Sequence, residues 1–312
     1  MKRTRFLALA AAASVPARVS AQGTAAPLIR FGGTTNDSAA EPYYAQELGF
    51  FKRAGLNVEI TTLGNGAAIA QAIAGGALDV GGTNLVGLGT AIAHNIPFAL
   101  VAGGGVYSSN APTTVLCVAK NAPYKTAKDL EGKTVAVPSL KDLTYAAAAA
   151  WLEQNGADIS TVKFVEISFP EGAAALERGT VAAAMIAEPS LSKGLKGSVR
   201  IFGKAFDGIA KQFMITATFG TNDWIRKNAE TAKKLADVIY ETARWANAKA
   251  NQGRSGEILA GVAKLEPSVV QSMTRATYAV GADPKLLQPP LDIAYKYKFI
   301  ERAMSASELL PK

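Results

Sequence analysis

The sequence predicts an α/β protein built of two lobes, and three observations carry that reading. Short β-branched runs alternate with alanine-rich helical stretches from Ile29 to Ile186, the signature of sheets layered with helices. Two such β-rich stretches precede a third that is almost wholly helical beyond Phe219. About 290 residues remain once an N-terminal leader is set aside, a size at which single cores tend to split.

The leader comes first. Lys2, Arg3 and Arg5 precede an apolar run from Phe6 to Ala13, and Val19-Ser20-Ala21 places small residues at a cleavage site. Residues 1–21 therefore read as an export signal cut after Ala21, since the apolar run is far shorter than the roughly 20 residues that span a bilayer. The chain has 33 basic and 25 acidic residues; without the leader's four basic residues, 29 stand against 25, a net charge of +4. No basic run with interleaved aromatics is present, so nucleic acid is not an expected partner. The single cysteine, Cys117, lies in an apolar stretch and reads as a packing residue, not part of a disulfide framework.

Ile29-Arg30-Phe31 predicts a first strand. The turn that follows holds Thr34, Thr35, Asn36 and Asp37, polar groups beside a helix N-terminus where a small polar ligand can be held. Pro42 suits the first turn of that helix, Tyr44, Leu48 and Phe51 make one buried stripe, and Gly55 suits its left-handed stop. Strands follow at Val58–Leu63, Leu78–Gly81 and Phe98–Ala102, with helices at Ala67–Ala74 and Leu85–Ala93, giving a mainly parallel sheet. Asn65-Gly66 and Thr83-Asn84 each close a strand and open a helix, so their amides and free N–H groups converge on one cleft.

A second set begins near Thr113: strands at Thr113–Ala119, Thr134–Val137, Phe164–Ile167 and Ala182–Ile186, and a helix from Asp142 to Gln154 stopped by Gly156. Ser139, Asp142, Thr144 and Tyr145 lie on the strand–loop–helix connection, where Asp142 is either an N-cap or a ligand contact. Glu188 ends a strand, placed to receive a ligand's amine or hydroxyl or to cap the next helix. After another strand-like run, Phe213–Phe219, helices are predicted at Asn222–Lys227, Ala229–Asn251, Gly256–Lys264 and Pro267–Val280. The simplest topology inserts the middle lobe, residues 113–217, into a first lobe made of 28–112 and 218–312. The runs at Thr113–Ala119 and Phe213–Phe219 then cross between lobes as hinge strands.

The one histidine, His94, falls at a helix end, so Ser-His-Asp, Cys-His and His-based zinc chemistry have no support. No glycine cluster fits a nucleotide-binding motif, and no cofactor is expected.

Pro42-Tyr43-Tyr44-Ala45, Gly49-Phe50-Phe51, Gly55-Leu56-Asn57-Val58, Gly76-Ala77-Leu78-Asp79-Val80-Gly81, Lys128-Asp129-Leu130-Glu131-Gly132-Lys133 and Glu188-Pro189 follow a leader in one order. Together they resemble the periplasmic solute-binding proteins of nitrate/sulfonate/taurine-type ABC transporters, the family with the NMT1/THI5-like domain. The resemblance covers nearly all the chain beyond the leader. It implies a type II periplasmic-binding fold: two α/β lobes joined by two hinge strands, closing on a small organic solute such as a sulfonate or carboxylate. It further implies a periplasmic monomer that performs no catalysis and delivers its ligand to an inner-membrane permease. Carried onto this chain, its ligand-facing loops fall at Thr34–Asp37, Tyr43, Asn65-Gly66, Thr83-Asn84, Ser139–Tyr145 and Glu188. Tyr43 and Tyr145 are candidates either for stacking on a planar ligand or for the core. One departure is chemical. Many sulfonate binders resemble Gly-Ser-Ser where this chain has Lys141-Asp142-Leu143, and Asp142 repels an anion unless Lys141 neutralises it, which leaves room for an amine, amide or pyrimidine. A thiamine-pyrimidine-precursor binder or enzyme, and a ligand-sensing subunit for a membrane receptor, are the alternative readings.

Overall fold

The structure, a computed structural model, describes residues 27–311. The export signal expected over residues 1–21 lies outside the described residues. The chain first forms β1 (Leu28–Gly33), α1 (Glu41–Glu47), α2 (Phe50–Arg53), β2 (Asn57–Thr62), α3 (Gly66–Ala74), β3 (Val80–Asn84), α4 (Leu85–Ala93), β4 (Phe98–Gly103) and β5 (Gly105–Ser108). It then forms β6 (Thr114–Ala119), β7 (Thr134–Val137), α5 (Leu143–Gln154), β8 (Lys163–Glu166), α6 (Phe169–Glu177), β9 (Ala183–Ala187), α7 (Ser190–Leu195) and β10 (Val199–Gly203). The return runs through β11 (Gln212–Met214), β12 (Thr216–Thr221), α8 (Asn222–Lys227), α9 (Ala229–Asn247), α10 (Gln252–Ala263), α11 (Pro267–Gln271), β13 (Thr277–Tyr278) and α12 (Pro284–Lys296).

Two five-stranded sheets share one plan. The first has the order β2-β1-β3-β12-β4 and the second β8-β7-β9-β6-β10. In each, the four strands of the local segment run the same way, and the strand arriving from the other segment is inserted antiparallel between the third and fourth. The four local strands of the first sheet run the same way as expected, and the sheet is mixed because β12 separates β3 from β4. No repeat in the sequence announces this shared order.

A third, small sheet, β11-β5-β13, carries the crossing. Phe213 pairs with Tyr107 across an antiparallel ribbon of β5 and β11. Tyr107, Phe206 and Phe213 stack their rings within 5.4 Å of one another. The hinge expectation is corrected accordingly: 114–119 is an internal strand of the second sheet, and the run 213–219 divides at Ile215 between the ribbon and the first sheet.

Local chemistry explains other differences. Gly49 sits at φ +69°, and its left-handed turn breaks the expected single helix into α1 and α2; Gly55, at φ +72°, ends α2 as predicted. The helix expected over 267–280 stops at Gln271, and Thr277-Tyr278 extend to pair with β5. α9 buries Leu235, Val238 and Ile239 against Ile29, Phe31, Val58 and Val80 of the first sheet. α12 was not foreseen. Lys296 and Tyr297 at its end reach Glu153 of α5, at 2.6 and 3.0 Å, so the C-terminal segment touches both halves of the molecule and does not pack on the first alone. Cys117 is fully buried, with its thiol pushed up to about 12 by burial and by the charge of Glu188. His94 caps the C-terminus of α4 and is exposed.

Candidate functional site

Parallel strands end on one side of their sheet, and loops at their carboxyl ends are free to bind ligands. Here the carboxyl ends of β1, β2 and β3 face those of β7, β8 and β9 across a cleft of about 390 Å³. That is within the range of small-molecule sites. Three polar caps hold the wall in place. Asn65 accepts from the Ala68 N–H at 2.9 Å, Asn84 from the Gly87 N–H at 2.8 Å, and Asp142 from the Leu143 N–H at 2.7 Å. Each fixes the start of its helix, α3, α4 or α5. The cap reading and the cleft reading of these residues thus hold together.

Ten residues singled out in the sequence line the cleft: Thr34, Thr35, Asn36, Asn65, Gly66, Thr83, Asn84, Asp142, Thr144 and Glu188. Thr34 donates to Asn36 at 3.1 Å, which shapes the first turn. A hydrogen bond spans the two sides, from the Asp37 N–H to the Glu188 carbonyl at 3.1 Å, and the Asn84 side chain faces the Asp142 carboxylate, favouring its charged form.

The other four lie off the cleft lining. Asp37 is fully buried and turned away, accepting from the hydroxyls of Tyr44 and Tyr278 at 3.1 and 3.2 Å and ion-paired with Arg275 at 3.3 Å. Tyr43 is buried with its hydroxyl on Thr62 at 2.8 Å. Ser139 is buried beneath the loop. Tyr145 packs against the rings of Phe164 and Phe299, at 4.6 and 5.6 Å. Both tyrosines make packing or hydrogen-bond contacts off the cleft lining.

The cleft also recruits residues not picked from the sequence. Ser168, Phe169 and Pro170 open α6 just beyond β8, and their polar-aromatic-proline run was a legible helix start. Phe206, Ile215 and Thr216 come from the return crossing and carried no local signal. Thr216 is a fastener: its hydroxyl donates to the Ser38 carbonyl at 2.6 Å and accepts from the Gly105 N–H at 2.8 Å.

The electrostatics are acidic. Asp142 and Glu188 line the cleft, and among the described residues no Lys, Arg or His does. Burial pushes the Asp142 carboxyl up to about 6 against the opposing bonds from Leu143 and Asn84, with the charge of Glu166 adding to the rise. Burial likewise raises Glu188, opposed by the N–H and hydroxyl of Ser192, both at 2.9 Å. Among the described residues no cluster of His, Cys, Asp and Glu could hold a metal ion, and no helix is long and apolar enough to cross a membrane.

Residues 36–252 match the family model for NMT1/THI5-like proteins. No curated protein sequence matches the chain. Solved structures with the same fold include the periplasmic aliphatic sulphonate-binding protein of Escherichia coli, 20% identical with a TM-score of 0.71, covering 91% of this chain and 92% of that one. The alkanesulfonate-binding protein of Xanthomonas axonopodis bound to MOPS is 18% identical with a TM-score of 0.73, covering 92% and 99%. The periplasmic nitrate-binding protein of Synechocystis is 15% identical with a TM-score of 0.75, covering 89% and 83%.

Proposed function

Because the chain belongs to the NMT1/THI5-like family and has the two-lobed periplasmic-binding fold, we propose that it is the solute-binding component of an ABC importer. One observation carries the reading: loops from the carboxyl ends of both sheets meet across a single cleft, and the chain crosses between those sheets through the β5–β11 ribbon. Each lobe is organised on one sheet, 28–112 with 218–312 forming the first and 113–217 the second, and the ribbon is the hinge. Bending there opens the cleft; a solute that touches both walls favours the closed form, and only such differential contact can drive closure. The protein acts as a periplasmic monomer, exported by residues 1–21, and hands the solute unchanged to an inner-membrane permease.

Catalysis is not part of this reading. Among the described residues the lining offers no histidine, cysteine or lysine to act as nucleophile or base, and its two carboxylates each accept a backbone N–H. A micromolar dissociation constant needs only about 8 kcal/mol. A handful of hydrogen bonds, at about 1 kcal/mol each and more when charged, together with apolar contact, supplies it.

The test is a thermal-shift and calorimetric screen of the protein from residue 22 onward against sulfonates, carboxylates, amino acids, amines and pyrimidines, with mass spectrometry of the solute afterwards. A ligand that binds only the folded state raises the midpoint. One-to-one binding of an unaltered compound, with a smaller radius of gyration in X-ray scattering, is the expected result. Turnover of the compound would instead make the protein an enzyme.

A further inference from the structure

We propose that the solute presents a protonated nitrogen, an amine or amidine, which Asp142 receives. The proposal deepens the solute-binding reading and rests on it. Three features of the cleft argue together.

The first is the use of the helix ends. Helix N-termini favour anions through their free N–H groups. At α3, α4 and α5, however, side-chain oxygens of Asn65, Asn84 and Asp142 already accept from Ala68, Gly87 and Leu143. The cap on α5 is itself a carboxylate, so the negative charge that this end can hold is provided by the protein.

The second is charge balance. Asp142 and Glu188 face the cleft, Glu166 adds negative potential at Asp142, and among the described residues no basic side chain lines the wall. Lys141 beside Asp142 is exposed, and Lys193 and Lys264 lie on an adjoining depression together with Glu177. The two cleft carboxylates differ in what remains available. Both oxygens of Glu188 are taken by Ser192. Asp142 accepts the Leu143 N–H on Oδ1, which leaves Oδ2 with acceptor capacity for a ligand.

The third is independent of the carboxylates. The Thr144 hydroxyl, on the first turn of α5, is only 7% exposed, lines the cleft and has no hydrogen-bond partner. A buried hydroxyl without a partner is costly, and one on a binding wall is placed to gain that partner from a ligand. Beside Asp142, it supplies a second acceptor for a nitrogen with several N–H bonds. Phe169, Phe206 and Ile215 offer apolar surface for the organic body.

The experiment is titration calorimetry with matched probes on one frame: benzylamine, benzamidine, benzoate and benzenesulfonate, at pH 5 and pH 7.5, on wild type and Asp142→Asn. Asparagine keeps the cap oxygen, so the variant is expected to fold. Amine and amidine should bind wild type more tightly than the anions. With the Asp142 carboxyl near 6, its ionised fraction rises roughly tenfold between these pH values, and cation affinity should rise about as much. The variant should lose that pH dependence and bind cations at least tenfold more weakly. Wild type preferring the anions, or cations bound equally by the variant, overturns the proposal while leaving the solute site intact. If neither these probes nor any solute class of the wider screen binds, the solute-site reading falls and the proposal with it.

Discussion

Glu41 opens α1 with its carboxyl buried, only 3% exposed, and Oε1 has no hydrogen-bond partner. It borders a void of about 20 Å³ between β1, β12 and the cleft turn. Burial pushes its carboxyl from 4.5 to about 8, opposed by its own backbone N–H and reinforced by the charge of Asp37. The sign follows from proton counting. Between pH 4.5 and 8 the unfolded chain has released the proton and the folded chain keeps it, so stability falls as pH rises through that window and levels off above it. Each pH unit removes about 1.4 kcal/mol, so roughly 3 kcal/mol is lost by pH 7. Glu41→Gln keeps the shape and removes the titration. Melting followed by circular dichroism should give equal midpoints for wild type and variant at pH 4. At pH 7 the variant should melt about 6 °C higher, at about 2 °C per kcal/mol for a chain of this size. A variant less stable than wild type at pH 7 would overturn this, because it would mean that the carboxylate is ionised and paired in the fold.

Two further outcomes are expected. Asp37→Asn leaves the Arg275 guanidinium buried without its counter-charge, which should lower stability by about 3 kcal/mol with solute stoichiometry kept; a loss of affinity with an unchanged melting midpoint would make Asp37 a ligand contact instead. Gly105→Ala places a methyl 2.7 Å from the Ser38 Cβ and 2.9 Å from its Cα; this should cost about 1–3 kcal/mol and weaken solute binding, since Ser38 lines the cleft, and an unchanged denaturation curve would contradict that tight fit.

What sequence reading missed has a common cause. The run Phe213–Phe219 looks like one strand because every residue in it suits a sheet. Its division at Ile215 follows from which partners the two halves meet, β5 for one and β3 with β4 for the other. Asp37 looked like a ligand contact because it sits in a polar turn, and its real partner, Arg275, is 238 positions away. Nothing near Tyr145 in sequence separates stacking from packing; its partner Phe299 comes from the far end of the chain. Long-range partners leave no local pattern.

Most elements and their caps are legible in the local sequence. Helix periodicity, Pro42 in a first turn, Gly55 and Gly156 at positive φ, and Asn65, Asn84 and Asp142 at helix starts all act within four residues, where backbone sterics and orphan N–H groups decide the outcome. Those same local rules placed ten of the fourteen selected residues on the cleft, because loops after strands and before helices share one end of a sheet. Long-range pairing is what inserts β12 and β6 into opposite sheets, makes the β5–β11 crossing and, among the described residues, keeps basic side chains off the cleft wall. Those features depend on burial and pairing between segments far apart along the chain, which form only when the chain closes on itself.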